Sequence, residues 1–149
     1  MRRTMLGLAL AAIAVACSGG GSGSVLVAFI EASGSLDPDH PQFLTALNHH
    51  ERVAYNGNAV GDGNWAEVII RDPGRVVFRL IPQPPGDGYW NVSAEIDTPT
   101  GEADSPACSV RDQVWETLIE TPDAVLLVHV RVFQADQLQP YILEIESLP

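Results

Sequence analysis

Lysine is absent from this sequence of 149 residues, whose basic side chains are eight arginines and four histidines. Beyond residue 16, six arginines stand against nineteen acidic residues, which gives a net charge near −13 with histidine neutral. Such a surface repels phosphate backbones, so nucleic acid is not expected as a partner. The acidity is also sufficient by itself to keep a protein in solution, and it identifies no ligand.

Signature motifs of catalysis are missing as well. The sequence has no G-x-S-x-G, no H-E-x-x-H and no Walker loop, which are the motifs of common nucleophile, zinc and phosphate sites. The carboxylates of Glu144 and Glu146 fall on the solvent face of a predicted strand, whereas acid–base catalysis needs one carboxyl pKa raised by burial. We therefore expect a protein that is not an enzyme and has no cofactor or metal. A hydrolase whose carboxylates meet only in the fold is the less favoured alternative.

The apolar run over residues 5–16 is too short to cross a bilayer, which takes about 20 residues. Its basic start at Arg2 and Arg3 and its small residues at the end are typical of a cleavable export signal. Residues 14–17, with the sequence AVAC, resemble the lipobox of bacterial lipoproteins, in which the cysteine is acylated and becomes the new N-terminus. The resemblance implies lipid attachment at Cys17. The alternative is an ordinary secretory signal in which this cysteine has no role.

A tract of only Gly and Ser follows over residues 18–24 and suits a tether of roughly 15 Å. Several acyl chains on Cys17 would anchor the protein stably without a transmembrane helix, since each buried CH₂ contributes about 0.8 kcal/mol. Ser18 resembles the residue that permits passage to the outer membrane in Gram-negative bacteria. We therefore expect a lipid-anchored protein at the outer membrane or cell surface. Cys108 then has no disulfide partner and is expected to be a small, half-buried apolar residue.

The remaining residues, 25–149, are long enough for one domain and show an alternation of apolar and polar positions that is typical of half-buried strands. Turn signals rich in Gly, Pro and Asp separate these segments. Short strands at this spacing predict an all-β fold, an antiparallel β-sandwich of jelly-roll type. Residues 124–133 are apolar on both faces at their start, which predicts a central strand covered on both sides. The positions predicted to face the core are Val76, Phe78, Leu80, Trp90, Val92, Ala94, Ile96, Tyr141, Leu143 and Ile145.

Two segments are open to more than one interpretation. Residues 41–49 are compatible with a short helix capped by Asp39. Residues 56–64, with the sequence NGNAVGDGN, carry the residue types of a calcium loop, but Asp62 is the only charge among them and a hairpin turn is preferred.

The order of these segments gives a resemblance to a known family. The stretches SGSLDPDHP, AEVIIRDPGRVVFRLI, YWNVSAEIDTPTGE and ETLIETPDAVLLVHVRVFQADQLQPYILEIESL resemble the bacterial pre-peptidase C-terminal domain over roughly residues 33–147. The departure is NVSAEID in place of the usual acidic DLDL strand, which argues against a metal-binding variant. The resemblance implies a non-catalytic accessory module of the kind often attached to secreted enzymes.

Candidate binding residues are few. Trp65 follows GDGN at a junction between loop and strand, where an indole can stack on a sugar ring. The loop over residues 82–88 adds Asp87, and Tyr89 follows on the solvent face of the next strand. These three residues are the candidate ligand site, for a carbohydrate or an envelope protein. The purely structural envelope lipoprotein is the alternative.

The histidines give weaker signals. The sequence His49-His50-Glu51, with His40 nearby, lacks the i, i+4 spacing of a zinc helix, so a solvated loop is favoured over a metal site. His129 lies between two valines and is expected to be a strand histidine with a satisfied hydrogen bond.

Overall fold

A computed structural model of the protein describes residues 23–59, 63–83, 92–107, 111–132 and 139–149. Within these ranges the secondary structure is strand, joined by turns and loops, and no helix there is long and apolar enough to cross a membrane. The strands are β1 (Val25–Glu31), β2 (Gln42–Leu47), β3 (Glu51–Ala59), β4 (Asn64–Ile70), β5 (Gly74–Pro82), β6 (Val92–Thr98), β7 (Gly101–Glu102), β8 (Gln113–Ile119), β9 (Ala124–Val132) and β10 (Gln139–Leu148).

The strands form two five-stranded sheets that face each other as a sandwich. The first sheet has the order β1-β3-β10-β5-β8 and the second the order β2-β4-β9-β6-β7. Neighbouring strands are antiparallel except at one edge of each sheet, where β1 pairs with β3 and β2 with β4 in parallel. The predicted all-β sandwich is therefore confirmed, with two parallel edge pairs that the alternation of residues does not reveal.

The core lies between the sheets and is built by alternate residues of the central strands. Tyr141, Leu143 and Ile145 of β10 have no exposed surface. The other inward positions predicted from the alternation are also fully buried, apart from Trp90, which lies outside the described residues: Val76, Phe78, Leu80, Val92, Ala94 and Ile96. A strand with one buried face is typical of such a sandwich, because its side chains point alternately to opposite faces.

The helix expected over residues 41–49 is not present, since this segment contains strand β2. Leu44 and Leu47 are both buried although they are three residues apart, a spacing that matches one helix face and would put them on opposite faces of a regular strand. An irregularity in the pairing with β4 between Phe43 and Ala46 turns both leucines inward.

Two other expectations need correction. Strand β9 is central, as predicted, but its outer face is not covered by another layer: Val125 is 49% exposed. The hairpin expected over residues 56–64 is wrong, because β3 and β4 belong to different sheets and this connection crosses between them. Gly63 enters β4 with φ of +73°. An added Cβ there would overlap the carbonyl oxygen of Val130, so only glycine fits this approach.

Candidate functional site

Trp65 lies on the outer face of the second sheet, directly across the strand pair from His129. The two rings are stacked, with their centroids 3.8 Å apart and their planes 8° from parallel. Trp65 is half-buried and His129 is only 7% exposed. The imidazole thus covers one face of the indole and fixes its orientation.

Glu95 of β6 continues this row on the other side of His129. Its Oε2 lies 3.1 Å from Nδ1 of His129, and its Oε1 accepts a hydrogen bond of 2.7 Å from Nη1 of Arg131. Partial burial works to raise the pKa of Glu95, but the hydrogen bonds and charges of Arg131 and His129 outweigh it and hold the pKa below its ordinary value. His129 is therefore a strand histidine with a hydrogen-bond partner, as predicted.

A groove opens beside this row, over β6 and the β6–β7 hairpin. Its volume is about 340 Å³. Asp97 and Glu102 are directly paired in the hairpin, and Oδ1 of Asp104 accepts a hydrogen bond of 2.8 Å from the backbone nitrogen of Ile96. We call this cavity the Trp65 groove. The residues that line it are Trp65, Glu95, Asp97, Glu102, Asp104 and His129.

The groove offers one aromatic side chain and four carboxylates, a combination that accepts hydrogen bonds from hydroxyl or amino groups. Asp97, Glu102 and Asp104 are exposed, and the pKa of Glu95 is lowered. A general acid needs the opposite, a carboxyl whose pKa is raised by burial. The four carboxylates thus offer hydrogen-bond acceptors, and Glu95 does not have the raised pKa of a general acid.

The structure does not test the sequence-based site. Trp65 lines the groove, whereas Asp87 and Tyr89 lie outside the described residues, as do Cys17 and Cys108. The carboxylates of the groove were not predicted as site residues. Part of this information is in the sequence, because residues 97–102, DTPTGE, are rich in turn-forming residues and a hairpin there places Asp97 beside Glu102.

The histidines near residue 50 have separate partners. Nε2 of His49 lies 2.9 Å from the carbonyl oxygen of Pro73, and Glu51 accepts hydrogen bonds from the backbone and side chain of Asn48. Nδ1 of His40 lies 2.7 Å from Asp37, and this hydrogen bond lowers the pKa of Asp37. Across the described ranges, no three His, Cys, Asp or Glu side chains are grouped to hold a metal ion.

The residue before Trp65 points the other way, into the sandwich. Nδ2 of Asn64 donates hydrogen bonds to the hydroxyl of Tyr141, at 2.9 Å, and to the carbonyl oxygen of Asn58, at 3.2 Å. The ring of Tyr141 meets that of Tyr55 edge to face, with centroids 5.9 Å apart. Burial raises the pKa of Tyr55 to about 12 and raises that of Tyr141 as well. Both tyrosines therefore stay neutral.

Comparison with known proteins identifies the fold. No model of a protein family and no curated protein sequence matches the chain. The structure is similar to the pre-peptidase C-terminal domain of a collagenase from Bacillus anthracis, with a TM-score of 0.51 and 10% identity over 72% of this chain and 98% of that domain. A match to a β-glucosidase from Paenibacillus barengoltzii has a TM-score of 0.38 and 12% identity over 80% of this chain and 13% of the enzyme. The predicted resemblance to the pre-peptidase C-terminal domain is thus confirmed at the level of the fold.

Proposed function

We propose that the protein is a non-catalytic accessory module of the bacterial cell envelope that binds carbohydrate in the Trp65 groove. The observation that carries this proposal is the groove itself, where an indole stacked on His129 lies beside four carboxylates. Sugar rings present apolar C–H faces to aromatic side chains, and their hydroxyl groups donate to carboxylates. A shallow site with one aromatic side chain and a few polar groups suits such a ligand.

The fold supports an accessory role. The similar domain from Bacillus anthracis is the pre-peptidase C-terminal domain of a collagenase. A sandwich supplies a rigid frame, and function resides in the surface that it presents. The lowered pKa of Glu95 supports binding over acid catalysis. A purely structural lipoprotein is the alternative, and it requires no ligand for the groove.

The envelope location rests on the sequence of the N-terminus. Residues 14–17 resemble a lipobox, and residues 18–24 form a Gly/Ser tract ahead of β1. We expect Cys17→Ser to move the protein from the membrane fraction to the soluble fraction without changing the circular dichroism of its strands. If the Cys17→Ser protein stayed with the membrane, the anchor would lie elsewhere.

The binding proposal is tested on the full lipidated chain, by a glycan array and by pull-down from its own envelope. We expect a glycan to be retained by the wild type and weakened about tenfold or more by Trp65→Ala, as for a truncated aromatic hot spot. Failure of both assays at high protein concentration would favour the structural lipoprotein. If the chain retained an envelope protein and no glycan, the ligand would be a protein and not the proposed carbohydrate.

A matched pair of charge variants assigns any binding to the groove. Glu102 lines the groove and is exposed, while Glu120 is also exposed and lies outside the groove. Glu102→Gln should weaken binding and Glu120→Gln should leave it unchanged. Equal effects would place the ligand elsewhere on the acidic surface.

A further inference from the structure

Exposed apolar side chains gather at one edge of the sandwich. Eight large apolar residues are exposed in the described part of the chain, and five of them lie between residues 25 and 43. This segment contains β1, β2 and the connection between them, which are the first strands after the Gly/Ser tract. The five residues are Val25, Val27, Phe29, Leu36 and Phe43.

Strand β1 carries three of these side chains in a row. Val25, Val27 and Phe29 are 63%, 42% and 56% exposed, and the residues between them are half-buried. At about 3.3 Å per residue, the row extends over about 13 Å. Among the described strands, β1 has only β3 beside it, so its other side is an open sheet edge.

Strand β2 of the second sheet begins beside the end of β1, at the same edge of the sandwich. Nε2 of Gln42 donates to the carbonyl oxygen of Glu31 at 2.9 Å, and its Oε1 accepts from the backbone nitrogen of Ser33 at 2.7 Å. The start of β2 is thereby held beside the end of β1, and Phe43, which is 52% exposed, follows immediately. We call the five exposed residues on these two strands and their connection the apolar edge.

The apolar edge begins where the proposed tether ends. Val25 directly follows residues 18–24, and a Gly/Ser chain of that length spans roughly 15 Å. A lipid on Cys17 would thus hold β1 near the bilayer. The tether does not require any later strand to lie as close. Apolar side chains at that distance can enter the boundary between headgroups and acyl chains, which is about 5–10 Å deep.

We propose that the apolar edge rests on the lipid bilayer that carries the anchor. This inference depends on the proposed attachment at Cys17 and adds an orientation to it. Because β2 and β7 lie at opposite edges of the second sheet, the groove carboxylates on β6 and β7 then lie on the part of this sheet that is farther from the membrane. The acidic charge of the protein repels anionic lipids, so the contact is with zwitterionic lipid.

The test compares two probes on the full lipidated chain in phosphatidylcholine vesicles. Phe29→Cys and Leu118→Cys, each with Cys108→Ser, are labelled with an environment-sensitive fluorophore. The two positions are a matched pair, since both are apolar, 56% and 61% exposed, and lie on the two opposite edge strands of the first sheet. We expect a blue shift and quenching by nitroxide-labelled lipid at position 29 and neither at position 118.

Three outcomes would overturn the orientation, and they are distinguishable. Retention of both proteins on vesicles with equal quenching would overturn the orientation and leave the anchor in place. A blue shift at position 29 that depends on protein concentration, without quenching by lipid, would show that a second copy of the chain covers the apolar edge instead of the bilayer. Release of both proteins from the vesicles would overturn the anchor together with the orientation.

Discussion

Asn64 and Trp65 are adjacent on β4, yet they build clusters on opposite faces of the second sheet. Asn64 joins Tyr141 and Tyr55 inside the sandwich, which we call the tyrosine cluster. Trp65 joins His129 and Glu95 outside it, which we call the tryptophan cluster. In each cluster a contact between aromatic rings and a hydrogen bond connect residues of different strands. Only the tyrosine cluster is closed to solvent.

The difference shows that the same kinds of contact are fully buried on one face of the sheet and remain partly exposed on the other. Tyr141 has no exposed surface, and its hydroxyl is held by Asn64, so every part of it contributes to folding. Trp65 is half-buried, and Glu95 leaves 44% of its side chain exposed while held by Arg131. The outer cluster therefore keeps exposed polar surface, and we expect its residues to matter less to the free energy of unfolding.

The largest expected effect is the loss of Tyr141. Tyr141→Ala removes a fully buried ring and the acceptor for Asn64, and should lower the free energy of unfolding by about 3–5 kcal/mol. Tyr141→Phe removes only the hydroxyl and should cost about 1 kcal/mol, because Asn64 keeps its bond to the carbonyl oxygen of Asn58. Urea unfolding measures both. Similar losses for the two variants would show that the hydroxyl, rather than the ring, dominates.

Gly63 precedes both clusters, and changing it should disturb them together. In Gly63→Ala, alanine would have to adopt φ of +73°, and its Cβ would overlap the carbonyl oxygen of Val130. We expect the free energy of unfolding to fall by about 2–3 kcal/mol. Gly34 provides the matched control, since its φ is +78° and the space around it is open. Gly34→Ala should cost about 1 kcal/mol from backbone strain alone. Equal losses in thermal or urea unfolding would contradict the close approach to Val130.

The inner face was predictable from the sequence because a strand alternates its side chains with a fixed period of two. That rule placed Phe78, Ile96 and Ile145 in the core with no knowledge of their partners. It failed at Leu44 and Leu47, where irregular pairing with β4 changes the local period. Turn residues located the breaks between strands but could not show that the chain changes sheets between β3 and β4.

The outer cluster was less predictable because it depends on long-range register. Trp65 was recognisable as a candidate, but nothing near it in sequence indicates that His129 covers one of its faces. That contact follows from the pairing of β4 with β9, and the position of Glu95 from the pairing of β6 with β9. The alternation of residues predicts the face of the sheet on which a side chain lies. A site also depends on which residue lies beside it on the next strand, and alternation does not predict that residue.

A smaller effect is expected from Trp65. Trp65→Ala loses the stack on His129 and part of an indole that is already half-solvated, so we expect a stability loss of about 1–2 kcal/mol. Trp65→Phe should recover part of this loss, since a phenyl ring can still stack on the imidazole. Urea unfolding of both variants gives the comparison with Tyr141→Ala. A loss as large as that of the buried tyrosine would mean that Trp65 is mainly a structural residue.

The smallest effect concerns Glu95 and depends on pH. Because the folded pKa of Glu95 lies below its unfolded value of about 4.3, its ionised form stabilises the fold above that pH, and this contribution disappears as the pH falls toward the folded pKa. The melting temperature should therefore fall less between neutral pH and pH 3 in Glu95→Gln than in the wild type. Arg131→Gln should reduce this fall less, because His129 still lies within hydrogen-bond distance of the carboxylate. An unchanged acid profile for Glu95→Gln would show that the outer cluster adds no ionic stability, which would make the contrast with the tyrosine cluster sharper still.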